Sequence, residues 1–80
     1  MSNELLENLE CLHTTKLGIM RIKRNLGLGD VDVIAWCRLK IQNSEDINRK
    51  GKNWYVRTED FRITINARSF TIITAHKERT

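Results

Sequence analysis

One histidine and several arginines in this chain are of the types that act on a charged phosphate ester. His76 lies near the end of the stretch Thr71 to Lys77, TIITAHK. With Arg62, Arg68 and Thr74 it forms a candidate catalytic set for metal-independent RNA cleavage. That reaction needs a base for the 2′-hydroxyl, an acid for the leaving oxygen and cations for the charged phosphorane. Histidine titrates near neutral pH and suits the first two roles. Arginine suits the third. The set has no fixed spacing by which to check it. The competing reading of His76 is a strand end that meets water.

The segment RKGKNWYVR supplies the candidate nucleic-acid contacts Arg49, Lys50, Lys52, Trp54, Tyr55 and Arg57. Lysine and arginine meet phosphates, and aromatic faces stack on unpaired bases. Gly51 lets the backbone turn tightly between them. The competing reading is a hairpin with Trp54 in the core and Lys50 and Lys52 solvated at its tip. Lys16, Arg21, Lys23 and Arg24 add a second basic cluster, read as a solvated helix face or a further phosphate contact. His13 falls between the first two helical segments, where it either caps the turn of Leu9 or lies exposed. His13, His76, Cys11 and Cys37 lack metal-ligand spacing, so no metal site is expected. No phosphate-binding loop, dinucleotide glycine pattern, nucleophile elbow or paired-carboxylate site is visible, and no cofactor is expected.

These residues need elements to position them. Leu5, Leu9 and Leu12 fall at helical spacing with Leu6 beside them, which predicts a helix over 3–12 with Ser2 as its cap. Thr14 or Thr15 caps a second helix over 15–26, with Ile19, Ile22 and Leu26 inward and Gly27 ending it. Asp30 is expected to cap a third over 30–42, with Ile34, Cys37 and Ile41 as its stripe, widened by Val33 and Trp36. The period then changes from 3.6 to two. Phe61, Ile63 and Ile65 alternate with Arg62, Thr64 and Asn66. Strands are expected over 46–50, 53–58, 61–66 and 69–76, with turns at Gly51–Asn53, Glu59–Asp60 and Ala67–Arg68. The fold class is α+β: three N-terminal helices packed on one face of a four-stranded antiparallel meander.

A two-residue loop at Ala67 and Arg68 would pair Ile65 with Phe70 and Ile63 with Ile72. Phe61, Ile63, Ile65, Phe70 and Ile72 would then face the core, and Arg62, Thr64, Asn66, Thr71 and Ile73 would face outward. Thr74 and His76 would follow the core side at the sheet's end. Arg62 and His76 would thus lie on opposite faces, which counts against the catalytic set.

Eighty residues suit one small domain spanning 1–80, without room for a large cofactor cleft. A content of 40% hydrophobic and 30% charged residues is that of an ordinary globular chain. No apolar run approaches the roughly 18 residues of a membrane span, and MSNELLENLE is too acidic for a secretory leader. Cys11 and Cys37 read as small buried hydrophobes, and a reducing cytoplasm is the simplest compartment. The net charge of +4 is uneven: residues 1–43 contribute +1 and residues 44–80 contribute +3. A basic second half fits phosphate-bearing partners, or only a soluble surface.

The blocks LECLHTTKLGIMRIKRNLGL, AWCRLKI, RKGKNWYV and RITINARSFTIITAHK resemble a family of small bacterial proteins catalogued as a domain of unknown function. GKNWYV and TIITAHK carry that resemblance most specifically. It implies no activity. By architecture alone, helices followed by a basic meander with a late histidine resemble the barnase–colicin–RelE group of small ribonucleases. That resemblance implies sheet-borne catalytic residues, here Lys52, Arg62, Arg68, Thr74 and His76. The leading expectation is a small cytoplasmic RNA-interacting domain, with a toxin-type endoribonuclease as its catalytic form. The alternative is a non-enzymatic protein-interaction or regulatory module of phage or mobile-element origin. The partners expected are RNA, a protein partner or antitoxin, and a second copy through a sheet edge, but no membrane.

Overall fold

The computed structural model describes residues 4–58 and 60–77. Ser2 as a cap, the first residue of the 3–12 helix and Glu59 of the second turn lie outside the described residues. The leucine-rich start does not form one continuous helix. Helix α1 (Glu4–Glu7) stops after one turn and a 3-10 turn follows at Leu9–Cys11. The reason lies in how its carbonyls are satisfied. Asn8 Nδ2 donates to Glu4 O at 2.8 Å, and asparagine competes in this way with helix continuation. Leu9 O accepts from Leu12 N at 3.2 Å, closing the 3-10 turn, and from the distant Arg38 Nε at 2.9 Å, so it is satisfied without a further helical turn. Leu5 and Leu12 still reach the core, whereas Leu6 and Cys11 are exposed. The expectation that both cysteines are buried therefore fails at Cys11, because Leu12 takes the inward position.

Helix α2 (Lys16–Leu26) begins where Thr15 Oγ1 accepts from Gly18 N at 3.0 Å. It ends at Gly27, whose φ of 65° is the left-handed cap that glycine adopts without strain. Helix α3 (Val33–Gln42) starts three residues later than expected. Asp32, not Asp30, is its cap, and its Oδ1 accepts from Ala35 N at 3.1 Å. Two aspartates in D-V-D offer the same chemistry. Asp32 directly precedes Val33, the first residue of the buried stripe Val33, Cys37 and Ile41.

Four strands follow as an antiparallel meander in the order β1 (Asp46–Lys50), β2 (Asn53–Arg57), β3 (Phe61–Asn66) and β4 (Ile72–Lys77). Lys50 pairs with Asn53, so Gly51 and Lys52 form a two-residue turn. Gly51 has φ 61°, the positive value such turns need at their first central position. Leu5, Ile22, Leu26, Val33, Cys37 and Ile41 join Trp54, Val56, Ile63, Ile65, Ile72 and Ala75 in one buried cluster. Trp36 meets Phe61 edge to face, with ring centroids 5.3 Å apart.

The last hairpin departs from the expected register. Asn66 N donates to Thr71 O at 2.8 Å and Phe70 N donates to Asn66 O at 2.9 Å. These bonds close a loop of four residues, 67–70. Asn66 Oδ1 fills it by accepting from Arg68 N and Ser69 N, each at 3.0 Å. Phe70 adopts φ 59°, a left-handed backbone unusual for an aromatic residue. Ile65 consequently pairs with Ile72, and a bulge then shifts the ladder, so that Thr64 meets Thr74, Ile63 meets Ala75 and Arg62 meets His76. Strand β4 starts at Ile72 instead of residue 69. Past the bulge the faces exchange: Ala75 is buried, and Thr74 and His76 share a face with Thr64 and Arg62. The expectation that Arg62 and His76 lie on opposite faces is overturned.

The outer side of β4 is not a bare edge. His13 N donates to Phe70 O at 3.2 Å, and Ile72 N donates to His13 O at 2.8 Å, a parallel bridge of one residue. Thr14 Oγ1 donates to Ile72 O at 2.9 Å and Asn25 Nδ2 to Ala75 O at 3.3 Å. Side chains thus occupy carbonyls that could otherwise recruit another strand.

Candidate functional site

The residues on the sheet face that carries Arg62 and His76 form cross-strand rows, exposed where those two stand and closed at the centre, where Thr64 is buried. Asp46, Arg57, Arg62 and His76 make one row across all four strands. Asn48, Tyr55, Thr64 and Thr74 make the next, and Lys50, Asn53 and Asn66 the third. Residues directly opposite one another have Cβ atoms about 4.5–5.5 Å apart, so Arg57, Arg62 and His76 form a contiguous cationic or titratable line. A groove of about 400 Å³ runs along this face, lined by Asn48, Lys50, Gly51, Tyr55 and Arg62.

A second concavity of about 530 Å³ lies at the turn end of the sheet, lined by Glu4, Arg49, Gly51, Lys52, Asn66, Ala67 and Arg68. Its walls are braced. Ala67 N donates to Lys52 O at 2.8 Å, tying the β1–β2 turn to the β3–β4 loop. Arg49 Nε donates to Gly51 O at 3.0 Å, and its guanidinium lies 5.5 Å over the Trp54 ring. Gly51 lines both concavities, and a Cβ built on it would find open space.

The candidate residues therefore divide in two. His76, Arg62 and Thr74 share one face, together with Lys50, Tyr55 and Arg57. Arg68 belongs instead with Arg49 and Lys52. It lies beyond Asn66, and four residues of strand from Arg62 to Asn66 already span roughly 13 Å. Arg68 is thus no partner for His76. Trp54 is only 3% exposed and packs against Phe70, with centroids 5.2 Å apart. It is a core residue that meets the exterior through Arg49, and is not a stacking platform for bases. Tyr55, half-buried in the open groove, is the aromatic residue placed for that role.

Sequence reasoning missed a hydrogen-bonded chain that joins the N-terminal segment to the β3–β4 loop. His13 Nδ1 lies 2.9 Å from Cys11 O and His13 Nε2 lies 3.0 Å from Thr71 Oγ1. Thr71 Oγ1 is 2.7 Å from Ser69 Oγ, which donates to Asn66 Oδ1 at 3.2 Å. A carbonyl only accepts, so Nδ1 carries a hydrogen towards Cys11 O. His13 and Thr71 are 58 residues apart, and no local pattern reveals their meeting.

Among the described residues, no group of three or more histidine, cysteine or acidic side chains is placed to hold a metal ion. Nor is any helix among them long and apolar enough to cross a membrane. These features define an α+β protein with a cationic sheet face and a basic turn end. The chain belongs to the family described as Protein of unknown function (DUF3781), whose model matches residues 6–76. No curated protein and no solved structure matches it.

Proposed function

We propose that this protein binds single-stranded RNA across the open sheet face. The observation that carries this reading is the clustering of cations around two concavities that share Gly51 in their linings, one lined by Lys50, Tyr55 and Arg62, the other by Arg49, Lys52 and Arg68. Cations at this spacing track a phosphate backbone while Tyr55 offers a π-face to a base. Its two unpaired cysteines suit a reducing cytoplasm. Binding is favoured over toxin-type cleavage by a proton count. General acid–base cleavage uses two proton-transfer groups. Among the described residues the open-face row offers one histidine, and Asp46, its acidic member, stands three strand spacings away, roughly 14 Å.

The test uses a labelled single-stranded RNA followed by anisotropy, beside a cleavage gel in excess EDTA. The expected result is salt-sensitive binding without cleavage, weakened severalfold by Tyr55→Ala. Discrete cleavage that His76→Ala abolishes would replace binding with catalysis. Absence of any binding at low salt would remove the RNA reading.

A further inference from the structure

We propose that the concavity at the basic turn end takes a phosphate monoester, the phosphorylated terminus of a nucleic-acid strand. The inference rests on the RNA reading above and adds where the bound strand ends. Three cations, Arg49, Lys52 and Arg68, line one cavity of about 530 Å³. They sit on braced supports. The Ala67 N to Lys52 O bond at 2.8 Å fixes the Lys52 backbone against the loop that carries Arg68. Arg49 is held by its Nε bond to Gly51 O and by its seat on Trp54. That bond uses Nε, so the Nη groups are those a phosphate would meet. Arg68 N and Ser69 N are turned inward to Asn66 Oδ1, which fixes the loop backbone from which the Arg68 side chain departs. Arg49, held at its guanidinium, is a preordered donor that loses little entropy on binding, while Lys52 and Arg68 are positioned through their backbones.

The charge of the lining selects a terminus over a passing backbone. Glu4 lines the same cavity, so the net charge of its four ionised side chains is +2. A terminal monoester carries a second negative charge above about pH 6, whereas each internal diester carries one. The dianion matches the lining. A strand that continued through the cavity would bring a further phosphate against the Glu4 carboxylate, and like charges at close range repel. The strand therefore ends here, and its remaining nucleotides pass over Gly51 into the open-face groove.

The experiment compares three short single-stranded RNAs of one sequence: 5′-phosphorylated, 3′-phosphorylated, and hydroxyl at both ends. Binding is measured with the native protein, Arg68→Ala and Glu4→Gln, each checked for an unchanged melting temperature. One phosphorylated strand is expected to bind about tenfold tighter than the hydroxyl-ended one, since a charge-assisted contact carries that much. Which strand it is identifies the end. Arg68→Ala should erase the preference while leaving weaker binding, and Glu4→Gln should narrow the preference by admitting continuing strands. Equal binding of all three RNAs overturns the terminal site and leaves open-face binding standing. A preference that survives in Arg68→Ala also overturns the site. Binding of none overturns both readings.

Discussion

At Cys37 burial alone sets the chemistry. Its thiol sits fully inside the core, and desolvation of the thiolate pushes its pKa from the ordinary 9.0 up to about 12. Cys11 is exposed on the turn before Leu12. A thiol reagent at about pH 8 should therefore modify one cysteine in the folded protein, at Cys11, and the second only on unfolding. Rapid modification of both would contradict the burial. The same group sets an alkaline limit. The folded chain holds the Cys37 proton more tightly than the unfolded chain, so this contribution to stability is complete below pH 9 and is lost as pH rises from 9 towards 12. Thermal unfolding across that window should show a fall that Cys37→Ala reduces. Residue-scale roles were unevenly legible in the sequence. A buried cysteine at helical spacing from Val33 and Ile41 is visible as a pattern. The partners of His13 are not, because Thr71 and Ser69 reach it only through the register of a distant hairpin.

The elements show where pattern reading succeeds and where side chains decide. The period-two run of β3 fixes its bounds, and Thr15 and Gly27 mark α2 at both ends by cap chemistry visible in the sequence. The β3–β4 connection was not legible. It depends on Asn66 filling a four-residue loop and on Phe70 accepting a positive φ, and phenylalanine carries no signal for that backbone. One bulged position then moved His76 to the face of Arg62. The junction of α2 with β4 is fixed as tightly. A Cβ on Gly18 would collide with Thr14 Oγ1, and Thr14 cannot withdraw without giving up its bond to Ile72 O at 2.9 Å. Gly18→Ala should lower stability by about 1–3 kcal/mol, although alanine is the better helix former. In a Thr14→Ala background the same change should be neutral or stabilising. A double-mutant cycle by thermal melting measures this coupling. Additive effects would show that the close approach has no energetic consequence.

Across the whole molecule, the uneven charge acquires a direction. The excess of the second half is gathered along one sheet face and one sheet end, where β1, β2 and β3 contribute cations in register. Helix α2 carries Lys16, Arg21, Lys23 and Arg24 as well, but it packs its apolar stripe against the core beside β4, and its basic residues do not line either groove. Charge count alone could not separate these two basic regions; the sheet register does. The separation has a measurable consequence. If about four cations of the grooves each neutralise a phosphate, the logarithm of RNA affinity should fall against the logarithm of salt with a slope near −3, since single strands give about −0.7 per contact. Lys52→Ala should weaken binding to a similar extent for every sequence and flatten the slope by about one contact's worth. Lys23→Ala, on the helix, should leave the slope unchanged. A slope insensitive to Lys52 but lowered at Lys23 would move the nucleic-acid surface from the sheet to the helix. A Lys52 effect confined to one RNA sequence would make that lysine a reader of bases instead of a phosphate contact.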